Sequence, residues 1–119
     1  KWTCEPLELQ PPLTVTIQKE RWLRKFDTAT SIPEEIPLDH TEQPLDKKRP
    51  LPVLGCNAEL TKVRLQGARW WTLGLESFGT MATVENSLRA VAAVLAARRP
   101  PDLGTGELAS YPAWLRNHI

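Results

Sequence analysis

The chain has 119 residues, with 15 Lys plus Arg against 14 Asp plus Glu and a formal net charge of +1. That length suits one domain, residues 1–119, around one core, and the even charge argues against a dedicated duplex-nucleic-acid binder, which carries a marked basic excess. A content of 41% hydrophobic and 24% charged residues excludes a disordered chain, and no apolar run approaches the roughly 18 residues of a membrane-spanning helix.

Lys1 to Leu9 is short and mixed, and Lys1-Trp2-Thr3-Cys4 suits the tail of a strand. Pro11-Pro12 then punctuates the chain. Leu13 to Phe26, LTVTIQKERWLRKF, reads as a long strand. A period of two puts Leu13, Val15, Ile17, Lys19, Arg21, Leu23 and Lys25 on one face, which turns from apolar to basic along its length. Trp22, Arg24 and Phe26 fall on the other. Asp27 to Gly55 carries Pro33, Pro37, Pro44, Pro50 and Pro52 and reads as one long loop.

Asn57 to Gly79 reads as a hairpin turning at Gln66-Gly67. Its second strand puts Trp71, Leu73 and Leu75 on one face, and Trp70, Thr72, Gly74, Glu76 and Phe78 on the other. Val84 to Arg98 shows helical spacing in Val84, Leu88, Val91 and Leu95. Thr80 or Thr83 is the expected cap, Arg98 and Arg99 suit the negative end of the helix dipole, and Pro100-Pro101 ends it. The apolar stripe is expected on the Trp71, Leu73, Leu75 face. In SYPAWLRNHI, Pro112 opens a short helical turn carrying Trp114 and Leu115.

The chemistry in these pieces is sparse. Lys19, Arg21 and Lys25 share a face and form a row that can grip phosphate oxygens, or be a solvated half-face. Glu59 and Glu76 fall on adjacent strands, where hard carboxylate oxygens can hold Mg²⁺ or form ion pairs with Lys62, Arg64 or Arg69. His40 and His118 have no metal-type spacing. Cys4 and Cys56 lack a CxxC arrangement and either form one bridge or stay as buried thiols. LGTGEL lacks the Lys and Ser/Thr of a phosphate loop. A single-stranded RNA reading rests on Trp22 among Lys19, Arg21, Arg24 and Lys25, and the near-neutral charge weighs against it.

The order of the pieces, VTIQKERWLRKF before a hairpin ending WWTLGLE, then an amphipathic helix and SYPAWL, resembles the C-terminal half of the CYTH or triphosphate tunnel family. That resemblance implies a tunnel of strands, a triphosphate or polyphosphate ligand, and Mg²⁺ or Mn²⁺ as cofactor if the chain is active. It places Lys19 and Arg21 at alternating basic positions and Glu76 at the second carboxylate of an E-x-E pair. Gly74 stands at the first, and the family's E-x-E-x-K signature is absent from the sequence. The resemblance therefore implies ligand binding ahead of catalysis, in a truncated form or in a dimer that completes the barrel, and at most a metal-dependent phosphohydrolase.

The expected fold is α+β: an antiparallel twisted sheet or partial β-barrel covered by one main C-terminal helix. The first functional expectation is a phosphoanion-binding protein with Lys19, Arg21 and Lys25 on the ligand and Glu59 and Glu76 on the metal. The second, from a different class, is a non-enzymatic interaction module that engages a protein partner or a second copy through the proline-rich loop and exposed tryptophans. A reducing cytoplasm is the expected compartment.

Overall fold

The computed structural model describes residues 16–102 and 104–119. In chain order its elements are β1 (Ile17–Asp27), β2 (Glu34–Ile36), β3 (Gly55–Leu65), β4 (Ala68–Phe78), α1 (Val84–Ala97) and α2 (Tyr111–His118). The strands form one antiparallel sheet in the order β2-β1-β3-β4. The fold is α+β. Among the described residues the sheet stays open and does not close into a barrel, with β2 and β4 as its edges. No helix among the described residues is long and apolar enough to cross a membrane.

Two residues close the β3–β4 hairpin. Gln66 has φ 50° and Gly67 φ 79°, the left-handed pair whose twist matches that of the flanking strands. The register then runs unbroken from Leu65↔Ala68 to Gly55↔Phe78. At the far end of β3, a Cβ on Gly55 would collide with the Phe26 carbonyl and the Phe78 ring, so only glycine fits.

Register sorts the side chains into two faces, because directly paired residues point the same way. The first face has five rows across β1, β3 and β4: Phe26-Cys56-Ser77, Arg24-Ala58-Leu75, Trp22-Leu60-Leu73, Glu20-Lys62-Trp71 and Gln18-Arg64-Arg69. Helix α1 packs on its first two rows. Val91 joins Phe26, Cys56 and Ala58 in the core, with Leu75, Val94 and Leu95 against them. The expectation that α1 covers Trp71, Leu73 and Leu75 together holds for Leu75 alone. The reason is length. A helix of 14 residues reaches about 21 Å, while a strand of 11 residues runs about 37 Å.

Two polar links fix α1 to the sheet. Ser77 Oγ donates to the Val84 carbonyl at 2.7 Å, and the buried Ser87 shares a hydrogen bond with Thr28 at 2.7 Å. Thr83 is the N-cap residue, but it adopts helical angles and makes no side-chain cap bond. Instead its hydroxyl donates to the Thr80 carbonyl, and Thr80 accepts the Thr83 and Val84 amides. The last turn of α1 holds no basic residue. Arg98, at the C-cap, reaches away to Glu35 of β2 at 3.3 Å, so the expected dipole role for it is replaced by an ion pair.

The stretch read as one long loop, Asp27 to Gly55, is interrupted. It contains β2, paired with β1 through Lys25↔Ile36, and a bridge Leu38↔Pro44. Ile36 and Pro44 are buried. The strand expected from Leu13 begins among the described residues at Ile17, and the Lys1–Leu9 segment with Cys4 lies outside them.

Candidate functional site

The second face carries the residues singled out from the sequence. Its rows across β1, β3 and β4 include Lys25-Asn57-Glu76, Leu23-Glu59-Gly74, Arg21-Thr61-Thr72 and Lys19-Val63-Trp70. Lys19, Arg21 and Lys25 share a face, as the period-two reading expects, and the register brings Glu59 and Glu76 to the same side of the sheet.

Each cation on that side meets a group of the chain itself. Arg21 donates through Nε to Glu42 Oε1 at 3.1 Å and through a terminal nitrogen to Glu42 Oε2, and it reaches Glu59 Oε2 at 3.4 Å. The Glu42 carboxylate, with Glu59 beside it, pushes the Arg21 guanidinium above its ordinary range. Lys19 Nζ sits 3.7 Å from the centre of the Tyr111 ring, and Lys25 Nζ lies 5.5 Å from that of Phe78, both cation–π contacts.

Of the two carboxylates, Glu59 accepts from Thr61 Oγ1 at 3.0 Å as well as from Arg21. Glu76 is exposed and is paired in the register with Asn57, whose buried Oδ1 has no partner in the structure. Glu59 pairs with Gly74, so the two carboxylates are diagonal neighbours. Among the described residues no group of three or more His, Cys, Asp and Glu is placed to hold a metal ion.

Helix α2 caps the hairpin-tip end of this face. Ser110 accepts the Ala113 amide at its start, and Pro112 sits in the first turn, as its sequence predicts. Trp70 meets Trp114 and His118 edge-on at 5.6 and 4.5 Å. His118 stacks on Trp114 at 4.6 Å and bonds its carbonyl through Nδ1. His118 thus packs its ring against Trp70 and Trp114.

A shallow recess of about 560 Å³ lies beside β1, with walls that include Arg21, Arg24, Glu35, Asp39 and Glu42. Its charges are also internally matched. Glu35 is pushed up by burial, but hydrogen bonds from Arg24 and Arg98 outweigh that and hold it below its ordinary value. Lys47 first, then the Thr41 hydroxyl and the Gln43 amide, hold Asp39 well below the usual carboxylate range.

The uncovered part of the first face is different. Trp22 is 46% exposed, Trp71 53% and Leu73 58%, and they surround Leu60. The two indoles stack at 5.9 Å with 30° between their planes. Toward the hairpin tip come Lys62, 4.0 Å from Glu20, and then Arg64 and Arg69, directly opposite each other in the register. Neither has an ion-pair partner among the described residues. The alternation of each strand puts Trp22 opposite the basic row and Trp71 with Leu73, but the expected cover of the last two by α1 does not occur. Their distance from the helical footprint was the missing signal.

Compared with protein-family models, curated proteins and solved structures, the chain matches none.

Proposed function

We propose that this chain is a non-enzymatic interaction module whose docking surface is the Trp22, Leu60, Trp71, Leu73 area of the sheet, rather than the proline-rich loop. One observation carries the reading: the largest side chains of that area stand in water while α1 covers only the adjacent rows. Exposed aromatic residues grouped this way are typical anchors of protein interfaces. Lys62, Arg64 and Arg69 border the area on one side, so the partner segment that fits is amphipathic, with an apolar stripe and acidic residues at one end.

A designed helical peptide with leucines at helical spacing and glutamates at one end is the probe. Its titration is expected to blue-shift tryptophan emission saturably, and the double substitution Trp71→Ala, Leu73→Ala to abolish the shift. A linear, unsaturable response at millimolar peptide, or one unchanged in the double variant, overturns the proposal.

A second reading, phosphoanion binding of the triphosphate tunnel type, is supported by the shared side of Lys19, Arg21, Lys25, Glu59 and Glu76. Against it stand the internal partners of all three cations. It predicts a rise in the thermal midpoint with tripolyphosphate and Mg²⁺, because a ligand selective for the folded state stabilises it. The interaction module predicts no change.

A further inference from the structure

From the free edge of the sheet we infer a further property: two copies of this chain pair along β4, antiparallel about a two-fold axis at Thr72. The two edges of the sheet are built differently. β2 is three residues long and is flanked by Pro33 and Pro37, features that blunt an edge. β4 is 11 residues long, ARWWTLGLESF, with no proline, no lysine and no bulge in its register. Among the described residues nothing pairs with its outer side. Its backbone donors and acceptors there form a template for another strand.

Gly74 identifies the occupant as a second copy. A glycine inside a strand costs stability and usually marks a close approach of another group. Among the described residues nothing requires it: its φ is not in the left-handed region, and a Cβ there would meet nothing within 4 Å. Pairing about Thr72 places Gly74 opposite Trp70 of the second copy, because the residue numbers of partners sum to 144, twice 72. An aromatic ring lying across a strand glycine is a known device for covering it. The same register sets Trp71 opposite Leu73 twice and Thr72 opposite Thr72, all favourable cross-strand pairs. It sets no like charges opposite each other within Ala68–Glu76. The exposed apolar rows of the two copies then join into one larger surface, on a sheet of twice four strands.

This inference concerns the edge of β4 and stands apart from what covers the Trp22–Trp71 area. Sedimentation equilibrium of the intact chain over micromolar to submillimolar concentrations is expected to show a species of twice 13.4 kDa. Gly74→Val, whose Cβ would have no described atom within 4 Å, is expected to keep the circular dichroism spectrum and to weaken the dimer by about tenfold or more. With Cys4 replaced by serine, Thr72→Cys is expected to form an intermolecular disulfide on mild oxidation, since directly opposed residues lie within bridging distance. A monomer at every concentration overturns the inference. So does a dimer indifferent to Gly74→Val, or one cross-linked through Leu73→Cys but not Thr72→Cys.

Discussion

Trp22 of β1 and Trp71 of β4 stack across the intervening strand β3, with ring centroids 5.9 Å apart. Both rings remain about half exposed, so the contact is aromatic and largely wet. Coupling between two such rings adds about 0.5–1.5 kcal/mol beyond burial. Trp22→Ala is therefore expected to cost about 1 kcal/mol and to remove an exciton feature from the near-ultraviolet and far-ultraviolet spectra. Urea unfolding followed by circular dichroism checks both.

Phe26 gives the opposite case. It is fully buried between Cys56, Ala58 and Val91, and the Arg98 guanidinium lies 5.4 Å from its ring centre. Phe26→Ala is expected to cost about 3–5 kcal/mol. In a domain of this size that consumes most of the stability. The urea midpoint should fall several times further than for Trp22→Ala.

Glu35 ties β2 to both β1 and α1 through Arg24 and Arg98. Its carboxyl is held below the ordinary 4.5 in the folded chain. Its contribution to stability is therefore complete above about that pH and is lost as pH falls through the depressed folded value. Glu35→Gln is expected to lower stability by about 1 kcal/mol at neutral pH, the discount for partial exposure included. The gap between the two proteins should close below pH 4.5. Thermal midpoints measured from neutral to acid pH check this.

Cys56 is fully buried in the core. Burial pushes its thiol above the ordinary 9.0, so it stays protonated and unreactive at neutral pH. With Cys4 replaced by serine, modification by iodoacetamide is expected only on unfolding, at a rate that follows urea concentration. The raised folded value also means that stability is lost as pH rises through 9.0 and above, where the unfolded thiol ionises first. Rapid modification in the absence of denaturant would contradict the packing described.

Much of the architecture was legible in the residues. Period two correctly divided β1 and β4 into faces, because each strand is long enough for alternation to be unambiguous. Gln66-Gly67 located the turn, and the Val84, Leu88, Val91, Leu95 spacing located α1 to within a residue of its end. β2 was not legible. Glu34-Glu35-Ile36 has no period, lies among prolines and becomes a strand only because β1 offers it an edge.

That Lys19, Arg21 and Lys25 share a face followed from the strand pattern alone, while the arrival of Glu59 and Glu76 on the same side depends on the register between strands. What surrounds all five followed from neither. The Arg21–Glu42 pair joins residues 21 apart in the chain, through a loop whose path no local rule specifies. The bare half of the first face was likewise hidden, since a row of apolar residues looks the same whether a helix of 14 residues reaches it or stops short.

The tight Gln66-Gly67 connection also bears on the order of assembly. β3 and β4 have only that dipeptide between them and can zip outward from it on the microsecond scale of hairpins. β1 joins β3 only after the chain from Asp27 to Gly55 has closed on itself, a longer search with its own entropic cost. The nascent ribbon must therefore wait with Trp70 and Trp71 unshielded. Aggregation during synthesis or refolding should be set by how long that wait lasts, and shortening the Asp27–Gly55 connection is the direct way to reduce it.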